Sequence, residues 1–435
     1  MSLVARAVLG PRLRWQFDHW DEERLLRHQR RRLGRLSRTL ARISPYYRDI
    51  LRPGIALAEI PLMDKATMMA EFDRINTAGL HRDDLVSFRI RQEHEGGNEL
   101  YPGGYSVGLS SGTSGNAVLT VLSAQERDRY GALLWARSGL PRGLRQRRIL
   151  FALRTNNPAF AAVTQFGVTL VHVDYFTPVP ALIELINAEH LNILAGPPSL
   201  LRLLAERREL ITGPIDAVVS YAEELDPGTR EVISTAFGVP VAEIYQGAEG
   251  LLAATCPAGR LHLNEDVSLV ELADAGDPFA TTRRVIVTDL YRTTQPFLRY
   301  QLNDLIEVGG RDCSCGSAFR VVEHFHGRSD EVLLLRDAAG RTTRLMPDYV
   351  RRAIDRASPD VVEYQAVQHS PDLLEVRLVL RAGADAAGIR DAIRRNLERW
   401  CERAGGTTPR LDFSARPPER NPRSGKLIRV VREFP

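Results

Sequence analysis

One stretch of this chain restricts its fold more than any other. Between residues 149 and 245, short apolar runs alternate with helical patterns at near-constant spacing. The runs are ILFAL (149–153), VTLVHV (168–173), LNILA (191–195), IDAVV (215–219) and VPVAEIY (239–245), starting about 19 to 24 residues apart. Between them stand PALIELINAEH, SLLRLLAERREL and DPGTREVISTAF, the last opening with Asp226 as cap and Pro227 in the first turn. Strands joined by crossovers of this length pair in parallel, with the helices on the sheet faces. The expected class is therefore α/β, a large N-terminal domain of mostly parallel sheet flanked by helices. Such sheets bind ligands beyond the carboxyl ends of their strands, which directs attention to the loops there.

After about residue 260 the pattern turns β-rich, in LHLNEDVSLVEL, RRVIVTDL and DLIEV. From residue 330 a smaller α+β segment follows, with an alternating strand in LLEVRLVLRA, a helix near 387–403 and a basic, Pro-rich tail. The expected division is a large domain over 1–329 and a small, mobile α+β domain over 330–435. The stretch 24–43 is arginine-rich with leucines at helical spacing, which suits either a helix packed on a globular body or one lying on a membrane surface.

No apolar run reaches the roughly 18–20 residues that span a bilayer, and MSLVARAVLG is too short and interrupted for a signal peptide. Cys256, Cys313, Cys315 and Cys401 are few for 435 residues, as expected of reduced thiols in a cytoplasmic protein. The 58 basic and 54 acidic residues leave a formal charge of +4, too small and too scattered for a dedicated nucleic-acid binder. Only two of the 58 are lysines, Lys65 and Lys426.

The segment YSVGLSSGTSGNAVLT (105–120) sets Ser110, Ser111, Thr113 and Ser114 around Gly112 and Gly115. Hydroxyls and close-approaching amides of this kind form an anion nest, and the same composition also makes a plain surface turn. No Gly-Lys-Ser/Thr follows, so it is not a Walker loop. Ser123 and Glu126 then form a capping box for the next helix.

Four further segments follow in order: YQGAEG (245–250), FLRYQLNDLIEV (297–308), HGRSDEVLL (326–334) and NPRSGKLIRVV (421–431). With the Ser/Thr/Gly loop they resemble the motif series of adenylate-forming enzymes, the acyl-CoA synthetase and ligase superfamily. Within it the chain looks like the phenylacetate-CoA ligase and capsule-associated branch, closest to a hypothetical adenylate-forming clade related to deazaflavin-cofactor adenylyltransferases. The resemblance implies that a carboxylate attacks the α-phosphate of ATP, pyrophosphate leaves, and a nucleophile then displaces AMP from the acyl-adenylate. It further implies that residues 110–115 hold the β/γ phosphates and that Tyr245 lies beside the adenylate. Glu249 would help hold Mg²⁺, a hard cation suited to carboxylate oxygen. Asp304 would accept the ribose hydroxyls with Arg328 alongside, and Ala222 and Glu223 would form the adenine-contacting turn. Asp330 would be the hinge of the small domain. Lys426 would carry the adenylation step, because a compact ammonium fits between two oxyanions better than a planar guanidinium. Lys65 would be structural, pairing a carboxylate.

The chain departs from the wider pattern at Ala117-Val118-Leu119, where a lysine often follows the phosphate loop, and at Gln301 and Asn303, where arginine and glycine are common. The acid would be aryl or fatty, with Phe151, Tyr175 and Tyr221 as pocket candidates. The acceptor would be CoA, a carrier-protein thiol, an amine or another small nucleophile. A nucleotidyl transferase leaving AMP on a small-molecule cofactor, or a non-catalytic nucleotide binder, are the alternatives.

Cys256 and His262 in CPAGRLH, with Cys313 and Cys315 in CSCG, supply three thiolates and one imidazole, a set that suits tetrahedral Zn²⁺. Relatives in the branch show a similar pattern, so the resemblance implies a structural zinc; buried free thiols and a core histidine are the other reading. Cys401 reads as a packed helix residue, and His172, His324 and His326 as structural.

Overall fold

The computed structural model describes residues 8–95, 97–109, 118–140, 146–153, 158–160, 168–279, 281–421 and 427–434. Strands β1 (Ser106–Leu109) and β2 (Leu119–Leu122) form a hairpin. The five predicted strands appear as β3 (Arg147–Ala152), β4 (Val168–Val173), β5 (Ile193–Gly196), β6 (Ala217–Ser220) and β7 (Val241–Gly247). They lie parallel in the order β4-β3-β5-β6-β7.

Their alternation sorts the core into two layers, because successive strand side chains face opposite ways. Leu150, Leu194 and Val218 join a cluster with helices Val179–Ala188, Pro198–Ala205 and Pro227–Phe237. Ile149, Phe151, Ile193, Ala195, Ala217 and Val219 face the other way, against helices Gly10–His19 and Ala124–Arg137. Asp226 caps the Pro227–Phe237 helix by accepting from Thr229 N at 2.9 Å, as its position before a proline predicted.

The sheet changes hand at Gly247–Gly250, where β7 turns into antiparallel β8 (Gly250–Thr255). The β-rich stretch continues this same sheet through β9 (Leu261–Leu263), β10 (Ser268–Asp274), β11 (Arg283–Asp289), β12 (Tyr300–Val308) and β13 (Val321–Arg328). The order onward from β7 is β8-β9-β13-β12-β11-β10, giving eleven strands among the described residues. A two-stranded ribbon of β14 (Leu333–Arg336) and β15 (Thr342–Leu345) comes next. A four-stranded sheet follows, ordered β18 (Arg410–Ser414), β17 (Leu373–Leu380), β16 (Val361–Ser370) and β19 (Val430–Arg432). Helices Pro347–Asp355 and Ala386–Arg403 close a core over it that includes Cys401.

The arginine-rich helix spans Glu22–Ile43 and buries Leu25, Gln29, Leu36 and Leu40, so its apolar face packs on the body. Gln29 Nε2 donates to Glu265 O at 2.8 Å, fixing the helix to the antiparallel half. Among the described residues no helix is long and apolar enough to cross a membrane.

Candidate active site

A cavity of about 350 Å³ opens beyond the carboxyl ends of β3, β6 and β7, lined there by Leu153, Tyr221, Ala222, Gln246 and Gly247. Phe160, Tyr130 and Leu133 make its apolar wall, while Arg129, Asp289, Arg292 and Arg328 supply charge. Tyr221 is fully buried with its hydroxyl 2.9 Å from Ala195 O and 3.1 Å from Ala152 O, at the ends of β5 and β3. Ala222 follows with φ +70°, a left-handed conformation that costs a non-glycine residue about 1–2 kcal/mol and aims the turn into the cavity. Phe151 packs against Phe160 in a tilted arrangement with centroids 4.8 Å apart, whereas Tyr175 turns to Ser199 at 3.1 Å.

Tyr245, Asp304 and Arg328 come together as the motif series implies. Tyr245 Oη donates to Asp304 Oδ2 at 2.6 Å, and Arg328 Nε lies 3.5 Å from Asp304 Oδ1. Asp304 and Arg328 are direct cross-strand partners on β12 and β13. In sheet order β7 and β12 are four strands apart, roughly 19 Å in a flat sheet and more than a tyrosine and an aspartate can span. The antiparallel half must therefore curl, and the Tyr245–Asp304 bond closes that curl.

Glu249 is buried at the β7–β8 turn, and its carboxyl lies against Gly247, where a Cβ would collide with Oε2. Burial, with a smaller push from the Asp304 charge, raises its pKa to about 7 against the pull of Arg292 and Arg328. Arg292 is itself committed, donating to Ala248 O at 2.6 Å and Val121 O at 3.2 Å. Glu126 closes the predicted capping box, and its Oε1 accepts from Thr293 N at 2.7 Å and Thr294 N at 2.9 Å. One carboxylate thus joins the helix start to the loop that carries Arg292, a role no local pattern predicts.

Lys65 follows Met63, which pairs with β12 through Met63 N to Arg299 O (2.9 Å) and Gln301 N to Met63 O (2.8 Å). Burial lowers the Lys65 pKa, and its charged neighbours are Arg328, Asp330 and Glu249. Asp330 sits in the short turn Ser329–Glu331 leading out of β13. Just before it, Gly327 has φ +100°, and a Cβ there would meet Pro347 at 2.9 Å, so the C-terminal unit packs closely on this turn. Glu223 lies beside Ala222, half-buried. Residues 110–115 and Lys426 lie outside the described residues.

The Cys/His set converges. Cys256 Sγ and Cys313 Sγ are 3.8 Å apart, Cys315 Sγ is 3.5 Å from His262 Nε2, and the four ligand atoms lie within 4.8 Å of one another. His262 Nδ1 lies 2.7 Å from Phe319 O, so an Nδ1–H donor there leaves Nε2 free to ligate. Phe17, Trp20, Leu25 and Phe319 shield the group. The donor set and its packing fit a structural Zn²⁺. A second convergence has no counterpart in the sequence reading: His324 and His326 on β13 face Asp348, with His324 Nε2 3.0 Å from Asp348 Oδ1. Its carboxylate comes from a remote helix, which is why spacing did not reveal it. Arg352 already supplies a cation there, with Nε 2.7 Å from Asp348 Oδ2.

No protein-family model matches the chain. Protein CapK of Staphylococcus aureus is 29% identical over 189 residues, covering 43% of this chain and 40% of that protein, so the chain aligns to less than half of that relative's length. A solved structure of 2-hydroxyisobutyryl-CoA ligase, in the postadenylation state in complex with R3-HIB-AMP, superposes with TM-score 0.71 over 96% of this chain and 91% of that one, at 15% identity. This chain has the fold of the adenylate-forming ligases. The same ligase in complex with 2-HIB-AMP and CoA in its thioesterification state gives TM-score 0.58 over 96% and 92%, at 17% identity. An ATP-bound RpMatB-BxBclM chimera gives 0.53 over 74% of this chain and 66% of that one, at 18% identity.

Proposed function

We propose that the protein is an ATP-dependent, AMP-forming ligase that activates a small-molecule carboxylate as its acyl-adenylate and passes it to CoA or another small nucleophile. The observation that carries this reading is the Tyr245–Asp304–Arg328 cluster at the rim of the cavity, with Glu249 buried behind it. Asp304 would take the ribose hydroxyls, Ala222 and Glu223 the adenine, and residues 110–115 the β/γ phosphates. Glu249, once ionised, would hold Mg²⁺, which supplies charge neutralisation at the phosphates. Lys426 would meet the carboxylate and α-phosphate, and the remaining chemistry is positioning and electrostatics.

The small domain would begin at residue 330 and rotate about Asp330 between half-reactions. The higher similarity to the postadenylation form of 2-hydroxyisobutyryl-CoA ligase than to its thioesterification form supports a placement of this domain like that of the postadenylation form. The phenylacetate-CoA ligase-like subtype, the cytoplasmic location and a structural zinc belong to the same proposal. Acid-dependent exchange of labelled pyrophosphate into ATP tests it. Wild type should exchange with a suitable acid, and Lys426→Ala should lose most exchange while still binding ATP. Normal exchange in Lys426→Ala would remove the role given to that lysine.

A further inference from the structure

The arginines of the cavity differ in how far they are committed. Arg292 is held by two main-chain carbonyls, Arg328 faces Asp304, and Arg89 donates to Gln92 Oε1 at 3.0 Å. Arg129, on the cavity face of the Ala124–Arg137 helix, makes no hydrogen bond or ion pair among the described residues. Its guanidinium carbon lies 3.7 Å from the centroid of Tyr291, and that of Arg32 lies 3.7 Å from the same centroid. Two guanidinium groups that close must occupy opposite faces of the ring. Tyr291 is fixed in turn, by its N–H to Asp289 Oδ1 at 2.7 Å and by its hydroxyl 3.2 Å from His28 Nε2.

The acids nearest Arg129 are already engaged. Asp289 also accepts from Arg292 N at 2.9 Å, and Asp266 is paired with Arg137 at 2.6 Å. Burial lowers the Arg129 pKa, so this is a partly desolvated cation whose N–H donors meet no acceptor among the described residues. The Tyr291 face and the fields of Asp289 and Asp266 support its charge, and its planar donors remain available to an anion. Its charged surroundings are also separate from those of the nucleotide cluster. Arg328 is surrounded by Asp304, Glu331, Asp330 and Tyr245, whereas Arg129 is surrounded by Tyr291, Asp289, Arg12 and Asp266.

We propose that Arg129 reads the substrate, which is a dicarboxylic acid: one carboxylate reacts near Arg328, an apolar body lies against Leu133 and Phe160, and the second carboxylate meets the Arg129 guanidinium. A planar guanidinium engages a carboxylate through two parallel N–H bonds, which gives geometric selection as well as affinity. This deepens the ligase reading and rests on it.

The test compares terephthalate with benzoate, and adipate with hexanoate, by calorimetric binding to the full chain in the presence of α,β-methylene-ATP. Wild type should bind at least one diacid at least 10-fold more tightly than its matched monoacid. Arg129→Gln should bring that ratio close to one, and Arg129→Lys should keep part of it. A merely structural role for Arg129 would move both acids of a pair alike. Equal binding of diacid and monoacid by wild type, a ratio that survives in Arg129→Gln, or no diacid binding would each overturn the proposal. Pyrophosphate exchange with the same acids separates the two claims. Arg129-dependent binding without exchange removes the ligase reading, while exchange that is indifferent to Arg129 removes only this inference.

Discussion

Arg351 of the Pro347–Asp355 helix pairs with Glu224, two residues beyond Ala222 at the cavity, and its second terminal nitrogen lies 2.8 Å from Glu331 Oε2. One guanidinium thus ties the C-terminal unit both to the cavity turn and to the turn that leads out of β13. Burial opposes the charge on Arg351, and Glu224 followed by Glu331 overcomes it, so its pKa stays above the usual arginine value. Removing one partner of such a buried group leaves the others uncompensated. Arg351→Ala should cost about 3–5 kcal/mol in urea unfolding. A double-mutant cycle with Glu224→Gln should show coupling above about 1 kcal/mol, and strictly additive effects would contradict the pairing.

Glu249 gives the protein a distinctive pH response. Its carboxyl titrates near 4.5 when unfolded and at about 7 when folded, so the folded state holds the proton across that window. Stability from this group is complete below about 4.5 and is lost as pH rises through about 7, by on the order of 3 kcal/mol at most. Glu249→Gln should be the more stable protein at pH 8, with the difference shrinking toward pH 4. Urea titrations at several pH values check this, and a difference independent of pH would count against it. If Glu249 holds Mg²⁺ as proposed, it does so in its ionised form, and binding of Mg·ATP should strengthen as pH rises through about 7.

Tyr245→Phe removes the 2.6 Å bond to Asp304. The lost bond is worth about 1–2 kcal/mol, which corresponds to roughly 10-fold weaker ATP binding if the pair forms the ribose site. Asp304→Asn should weaken binding further. Calorimetric titration of ATP measures both, and unchanged affinity in the two variants would place the nucleotide elsewhere.

If the Cys256–His262–Cys313–Cys315 group holds zinc, protein prepared without chelator should contain about one zinc per chain. Cys313→Ser should lose it and melt several degrees lower, because metal binding free energy is then part of folding free energy. Elemental analysis alongside thermal melting checks both statements. Wild type that carries no zinc would leave a cluster of free thiols.

The parallel half of the fold was legible in the sequence because its central strands, β5, β6 and the end of β3, are buried on both faces and so written as unbroken apolar runs, as in Ile149 to Ala152. The capping box at Ser123 was legible for the same reason, being local. Its partner Glu126 shows where local reading stops: one oxygen caps the helix, while the other accepts from Thr293 and Thr294 far along the chain. Asp348 opposite His324, and Arg129 against Tyr291, were illegible on the same ground, since no periodicity records which remote element will supply a partner. The cysteine and histidine group was half legible. Its residue types gave the chemistry, and only the packing of β9 beside β13 brought His262 to Cys315. Lys65 could be counted from the sequence, but its place beside Arg328, Asp330 and Glu249 depends on Met63 pairing with β12.

The curl closed by Tyr245 and Asp304 is an arch held by a tie rod. A carboxylate oxygen accepts two hydrogen bonds, so a ligand hydroxyl that donates to Asp304 Oδ2 would share it with the phenol, and filling the site would add to the load on the tie. The strands between β7 and β12, ordinarily counted as inert scaffold, would then register occupancy themselves. Amide exchange in β8 and β9, well away from any ligand atom, becomes a gauge of whether the site is filled.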